Sequence, residues 1–232
     1  MHHRRESTFY EDGLGAPAIM TLTNLPDDVL PLLQMESLAT FGAMEHLSCT
    51  TLVELGCYDG RGLEIARALD ARYVGVDLDK NAIATLKLRI QRESLSEVAK
   101  TILQDLVRFV EEDKSVADER ALYLLPFNLL SNFRKPDRLL RALSKRKVGA
   151  VITVFRDTTI ASRVRRTYYQ RCGIRGLSVS STAEGIVFTG ANNFYSRSFS
   201  DEDLLQLLSS YGLQVVHSRK NAVAHCVTVL LD

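Results

Sequence analysis

The residues best placed to do chemistry in this chain are glycines that follow a β-prone run and acids that close later runs. Thr51-Leu52-Val53-Glu54-Leu55 gives way within one residue to Gly56-Cys57-Tyr58-Asp59-Gly60-Arg61-Gly62. Gly56, Gly60 and Gly62 allow backbone dihedrals closed to other residues and let a ligand come close to main-chain N–H groups at the start of a helix. Arg72-Tyr73-Val74-Gly75-Val76-Asp77 then reads as a second strand ending on an acid. A carboxylate there accepts hydrogen bonds from ribose hydroxyls, as in nucleoside-binding βαβ units. The chemistry suggested is the seating of a nucleoside-bearing ligand.

The elements that must position these groups follow from hydrophobic periodicity. Leu63, Ala66 and Leu69 share one helical face, and Ile83, Leu86 and Ile90 define a helix over 81–92. Strands are predicted at 51–55, 72–77, 101–104, 121–125 and 149–155, and helices over 106–112, 136–147 and 157–172. The run Ala121-Leu122-Tyr123-Leu124-Leu125 is apolar throughout, as a central parallel strand should be. Further on, two strands at 185–190 and 194–199 flank the turn Ala191-Asn192-Asn193. A helix capped by Ser200 follows, then a hairpin of 213–218 and 222–231 through Arg219-Lys220-Asn221. Residues 1–26 are rich in glycine, proline and polar side chains and read as an arm ordered on contact. Two short helices are expected after it, one starting at Pro26-Asp27-Asp28 and one over 36–47 with Leu38, Phe41 and His46 or Leu47 near one face.

Length and composition bound the partners. A chain of 232 residues with 46% hydrophobic residues can bury one substantial core, and one α/β domain over 1–232 is the default. The formal charge of +1 gives no global pull toward nucleic acid or anionic membrane. The basic groups Lys145-Arg146-Lys147 and Arg163 to Arg166 read as solvated helix faces more readily than as RNA contacts. Cys49, Cys57, Cys172 and Cys226 are scattered, with no metal-ligand spacing, and read as reduced thiols with no metal site. No apolar run reaches the length of a membrane span, so a cytoplasmic location is expected.

Glu54-x-Gly56-x-x-x-Gly60 followed by Val74-Gly75-Val76-Asp77 resembles the first two motifs of the class I S-adenosylmethionine-dependent methyltransferases. The glycine intervals of four and two differ from the G-x-G-x-x-G of dinucleotide-binding proteins, and an acid precedes the first glycine. Where the family usually carries glycine, this chain has Tyr58. The resemblance covers 48–156 through motifs and the rest through topology. It implies a Rossmann-like sandwich with a seven-stranded, mostly parallel sheet whose last strand is antiparallel. An N-terminal arm and helical cap over 1–47 and a substrate roof over 157–200, between strands five and six, complete the expected architecture.

The same resemblance implies the site. Glu54, Gly56, Cys57, Tyr58, Gly60, Asp77, Leu78, Asp105, Leu106 and Asn128 would bind S-adenosylmethionine, with S-adenosylhomocysteine as product. Asp105, with the N–H of Leu106, would grip adenine, or its carboxylate would cap the following helix, or both. Leu78 would lie on the adenine face. Asn128, after Pro126-Phe127, falls in the fourth motif and would hold the cofactor's amino acid end or orient the nucleophile, the alternative being a turn residue. Tyr10 in the covering layer is a second catalytic candidate, or it packs on the surface. Tyr168, Tyr195 and Arg197 are candidate acceptor contacts. Tyr195 and Arg197 share a strand face, and an arginine fork suits a carboxylate, whereas a charge on an edge strand discourages pairing. His225 alternates with apolar residues and reads as a sheet residue.

The expected function is therefore methyl transfer to a small-molecule acceptor, at nitrogen or oxygen, with a carboxylate-bearing metabolite as one candidate. An enzyme acting on RNA or protein, or a non-catalytic S-adenosylmethionine-binding protein, are the alternatives. The oligomeric state is left open, a homodimer included.

Overall fold

A computed structural model describes residues 9–10, 15–112, 116, 120–183 and 185–231. Of the arm expected over 1–26, residues 1–8 and 11–14 lie outside the described residues. Elsewhere in it a short helix forms, α1 (Gly15–Met20), and Phe9 is buried.

The chain continues as α2 (Leu30–His46), β1 (Thr51–Leu55), α3 (Gly62–Ala68), β2 (Arg72–Asp77), α4 (Lys80–Arg92), β3 (Ala99–Leu103), α5 (Leu106–Glu112) and β4 (Ala121–Leu125). Next come α6 (Asp137–Arg146), β5 (Gly149–Phe155), α7 (Thr159–Arg171), β6 (Ser178–Thr182), β7 (Gly185–Thr189), β8 (Tyr195–Arg197), α8 (Asp201–Ser209), β9 (Leu213–Lys220) and β10 (Ala224–Leu231). Seven strands form one sheet in the order β3-β2-β1-β4-β5-β10-β9. The first five are mutually parallel, and β10 runs antiparallel to both β5 and β9. This is the predicted topology, with the last strand inserted between its predecessor and β5.

Both sheet faces are covered, as a parallel sheet of apolar strands requires. One core joins the sheet to α5, α6 and α8 through Phe109, Leu140 and Leu208; the opposite one joins it to α2, α3 and α4 through Met44, Leu63 and Leu86. A third cluster brings Phe9, Ile19 and Leu32 against Tyr168, Phe188 and Phe194. It packs the N-terminal segment onto the segment between β5 and β9, which holds α7 and a separate three-stranded sheet, β6-β7-β8.

One expectation is corrected. In place of two short helices, a turn of 3-10 helix over Asp27–Val29 runs directly into the 17-residue α2. Its buried stripe is Leu32, Glu36, Ala39, Thr40, Ala43 and Met44, while Leu38, assigned inward, is 62% exposed. A glutamate and a threonine within the stripe hide its period from a hydrophobicity reading. The sequence reading also missed β6, whose Ser178-Val179-Ser180-Ser181-Thr182 lacks an apolar face; it forms by pairing with β7.

Candidate active site

The sheet order reverses direction between β1 and β4, where the following segments part to opposite faces and leave a crevice at the carboxyl ends of the strands. A cavity of about 190 Å³ lies there. Gly56 and Tyr58 enter it from the loop after β1, Asp77 and Leu78 from the end of β2, and Asp105 and Leu106 from the end of β3. Pro126, Phe127, Leu129, Asn132 and Phe133 come from the segment after β4, and Tyr10, Ile19 and Met20 from the N-terminal layer.

Parallel register brings the first loop to Asp77. Leu55 pairs with Val76, and the N–H groups of Gly56 and Cys57 both donate to the Val76 carbonyl at 2.8 and 3.1 Å. The next N–H, of Tyr58, donates to Asp77 Oδ2 at 2.8 Å, and that of Asp79 donates to Oδ1 at 2.8 Å. Each carboxylate oxygen keeps a further lone-pair direction for a ligand hydroxyl. Burial raises the pKa of Asp77, against the hydrogen bonds from Asp79 and Tyr58 that lower it.

Gly56 has φ +68°, and a Cβ built on it would stand 3.1 Å from Leu129 Cδ1. A side chain there would be strained and would crowd the cavity floor. Tyr58 holds φ +45° without being glycine. A bulky residue in the left-handed region costs on the order of 1–2 kcal/mol. The loop therefore keeps its turn while placing an aromatic ring in the cavity wall.

Glu54 lies beneath the loop, fully buried. The Tyr73 hydroxyl donates to its Oε2 at 2.6 Å and the Gly62 N–H at 3.0 Å, fastening β2 and the start of α3 to β1. Burial pushes its carboxyl up to about 7, outweighing the hydrogen bond from Tyr73 and the positive charge of Arg61. Cys57 is likewise buried, its thiol pKa raised by burial, and Gly60 turns the loop at φ +77° against Leu86. These three build the loop from below and are absent from the cavity lining.

Asp105 lines the cavity and also accepts from the Arg108 N–H at 2.9 Å, so it caps α5 as well. Asn128 opens the turn after β4 at φ 63°, as its turn alternative has it, and is absent from the cavity lining. It is 3% exposed, its Nδ2 donates to Ser196 Oγ at 3.0 Å, and its Oδ1 accepts from the Phe155 N–H at 2.9 Å. The side chain thus ties β5 to β8 behind the cavity. Ser196 also bonds the Tyr169 hydroxyl at 2.7 Å, and the buried Arg165 donates to its carbonyl at 2.7 Å.

The acceptor candidates fall outside the cavity lining too. Tyr168 is buried, its hydroxyl donating to the Ile19 carbonyl and its ring edge-on to Phe127. Tyr195 lies under the Arg134 guanidinium, 4.4 Å from the ring centroid, and Arg197 covers the Phe199 ring at 4.2 Å. Tyr10 does line the cavity, with burial raising its phenol well above the usual value. His225 is a buried sheet residue on β10, hydrogen-bonded to Ser218 Oγ at 2.7 Å.

Sequence reasoning missed Glu36 on α2. It is 1% exposed; Oε1 accepts from Arg61 in the glycine loop, and Oε2 accepts from the Phe127 N–H at 2.7 Å. One carboxylate thus joins the loops after β1 and β4. It also missed Asn132 and Phe133, whose only signal was their place just after the central strand.

Among the described residues no cluster of three or more His, Cys, Asp or Glu side chains could hold a metal ion, and no helix is long and apolar enough to cross a membrane. No protein-family model matches the chain, and no curated protein matches it in sequence. Solved structures do match in three dimensions. The 1,6-didemethyltoxoflavin-N1-methyltransferase of Burkholderia thailandensis, solved with 1,6-didemethyltoxoflavin and S-adenosylhomocysteine, is 15% identical with a TM-score of 0.64, over 97% of this chain and 84% of that one. This chain has the class I methyltransferase fold. The CcbJ methyltransferase from Streptomyces caelestis matches at TM-score 0.58 and 12% identity, over 85% and 94% of the two chains. NcsB1, an O-methyltransferase from neocarzinostatin biosynthesis solved with S-adenosylmethionine and 2-hydroxy-5-methyl naphthoic acid, matches at 0.62 and 15%, over 99% of this chain and 62% of its own.

Proposed function

We propose that the chain is an enzyme that transfers a methyl group from S-adenosylmethionine to a small-molecule acceptor. The observation that carries this reading is the convergence of Gly56, Asp77 and Asp105, from the ends of β1, β2 and β3, on one cavity at the point where the sheet order reverses. A nucleoside fits this set: Asp77 accepts from the ribose hydroxyls, Asp105 and the Leu106 N–H meet adenine, and Leu78 lies along its face. The methionine part passes over Gly56, where a Cβ would stand in its way.

When bound, S-adenosylmethionine supplies an electrophilic methyl carbon, which the acceptor's lone pair takes as the carbon–sulfur pair returns to sulfur and the acceptor N–H or O–H proton leaves to water. The protein's part is alignment and the exclusion of water. Ile19 and Met20 close the cavity from the N-terminal side, and α7 with the small sheet supports that layer from behind. The four cysteines, all free and three of them buried, suit a reducing, cytoplasmic setting.

Isothermal titration with S-adenosylmethionine and S-adenosylhomocysteine tests the reading. Both should bind, and Asp77→Ala should weaken each by about 2–3 kcal/mol through loss of charge-assisted hydrogen bonds. Equal affinity in a folded Asp77→Ala protein would remove the ribose assignment.

A further inference from the structure

The cavity's two ends differ in chemistry. Toward β2 and β3 it holds its only charged groups among the described residues, the carboxylates of Asp77 and Asp105. Toward the N-terminal layer and the segment after β4 the wall is Ile19, Met20, Phe127 and Phe133, with two polar groups set into it, the Tyr10 hydroxyl and the Asn132 amide. Neither of these makes a hydrogen bond to another described residue, in a protein whose buried polar side chains are mostly committed, as Asn128, Glu54 and Ser196 are.

We propose that this end binds an uncharged aromatic or heteroaromatic acceptor, its ring against Phe127 and Phe133 and its polar atoms bonded to Tyr10 and Asn132. The proposal rests on the methyltransferase reading. It departs from a carboxylate-bearing acceptor for a physical reason. No lysine or arginine lines the cavity among the described residues, and the arginine expected to meet a carboxylate, Arg197, is stacked on Phe199 and absent from the lining. An anion entering would lose its hydration without a counter-charge from the wall. A neutral ring loses little on leaving water and gains offset or edge-on contacts with the two phenylalanines. A neutral donor or acceptor on it meets an amide and a phenol, groups that can each both give and accept.

The test uses the full chain saturated with S-adenosylhomocysteine and two probes sharing one ring system, 2-naphthol and 2-naphthoate, titrated calorimetrically. The naphthol should bind at least about tenfold more tightly than the naphthoate. Phe133→Ala should weaken the naphthol by about tenfold, and Asn132→Ala by a smaller factor, each measured on folded protein saturated with S-adenosylhomocysteine. Equal or tighter binding of the naphthoate overturns the proposal. So does naphthol affinity unchanged in both variants, or no binding of either probe at millimolar concentration to a complex that holds S-adenosylhomocysteine. Failure of S-adenosylhomocysteine itself to bind would instead overturn the cofactor reading beneath it, and the proposal with it.

Discussion

The cavity's two sides are built by different means. On the β1–β3 side, segments close in sequence are aligned by parallel register, and the working groups are backbone N–H groups and strand-end carboxylates. On the β4 side, the supports are long-range: Asn128 reaches Ser196 across 68 residues, Glu36 reaches Phe127 across 91, and Tyr168 reaches Ile19 across 149. The first side needs only a strand, a turn and a helix to exist. The second exists only once the N-terminal layer and the small sheet have docked. Disturbing the first should therefore act on the ligand with the fold intact, while disturbing the second should act on the fold.

The largest effect expected from that contrast is on Gly56. Gly56→Val forces a β-branched residue into φ +68° and places its Cβ against Leu129. S-adenosylhomocysteine binding should fall by two orders of magnitude or more, roughly 3 kcal/mol at the least, with the circular dichroism of the sheet kept. Retained affinity would mean that the loop is a turn with no ligand.

Glu36 belongs to both sides at once, so its removal should register in both readouts. Glu36→Ala strands Arg61 and the Phe127 N–H. Breaking a buried ion pair by removing one partner costs about 3–5 kcal/mol, and the quarter-exposed Arg61 side chain places this one at the lower end. Denaturation should show that loss, accompanied by weaker S-adenosylhomocysteine binding as both loops relax. Glu36→Gln keeps an acceptor for Phe127 and should recover part of each. A variant that loses neither stability nor affinity would show that the loops hold their places without α2.

The contrast also explains what could be read from the sequence. The glycine loop, Asp77 and Asp105 were legible because each lies within a few residues of the strand that positions it. The roles of Asn128 and Arg197 were not, because a side chain's partner on a distant element leaves no local pattern. Asn128 stands at the predicted strand end, yet Ser196 and the Phe155 N–H hold its amide behind the cavity. Arg197 and Tyr195 do share the face opposite Ser196, but that face carries Phe199 and Arg134 as partners. Glu36 was passed over because a charged residue in a helix reads as surface.

Glu54 sharpens the comparison through pH. Its folded pKa is raised from 4.5 to about 7, chiefly by burial. A raised folded value makes the protonated form the stabilising one. That contribution is complete below about 4.5 and is lost as pH climbs to about 7, an effect on the order of 3 kcal/mol at most. Urea unfolding of the wild type relative to Glu54→Gln, from pH 4.5 to 8, should show the wild type losing ground as pH rises. A constant difference between the two proteins would mean that the buried carboxyl does not titrate in this window.

The smallest effect belongs to Arg197, and it separates the two accounts of the β8 face. Arg197 is 6% exposed, and its guanidinium carbon lies over the Phe199 ring, 4.2 Å from the centroid. Lysine keeps the charge but gives up the planar stack, a loss of about 0.5–1 kcal/mol and a melting temperature lower by a few degrees. S-adenosylhomocysteine affinity should not move, since Phe199 and Arg197 are absent from the cavity wall. If Arg197 instead served as the fork for an acceptor carboxylate, 2-naphthoate binding to the S-adenosylhomocysteine complex would weaken in Arg197→Lys and vanish in Arg197→Ala. A stability loss with naphthoate binding unaltered would make Arg197 part of the scaffold that holds β8 against the parallel sheet. Its charge would then be spent on an aromatic ring, and recognition of the acceptor would fall to the neutral groups of Tyr10 and Asn132.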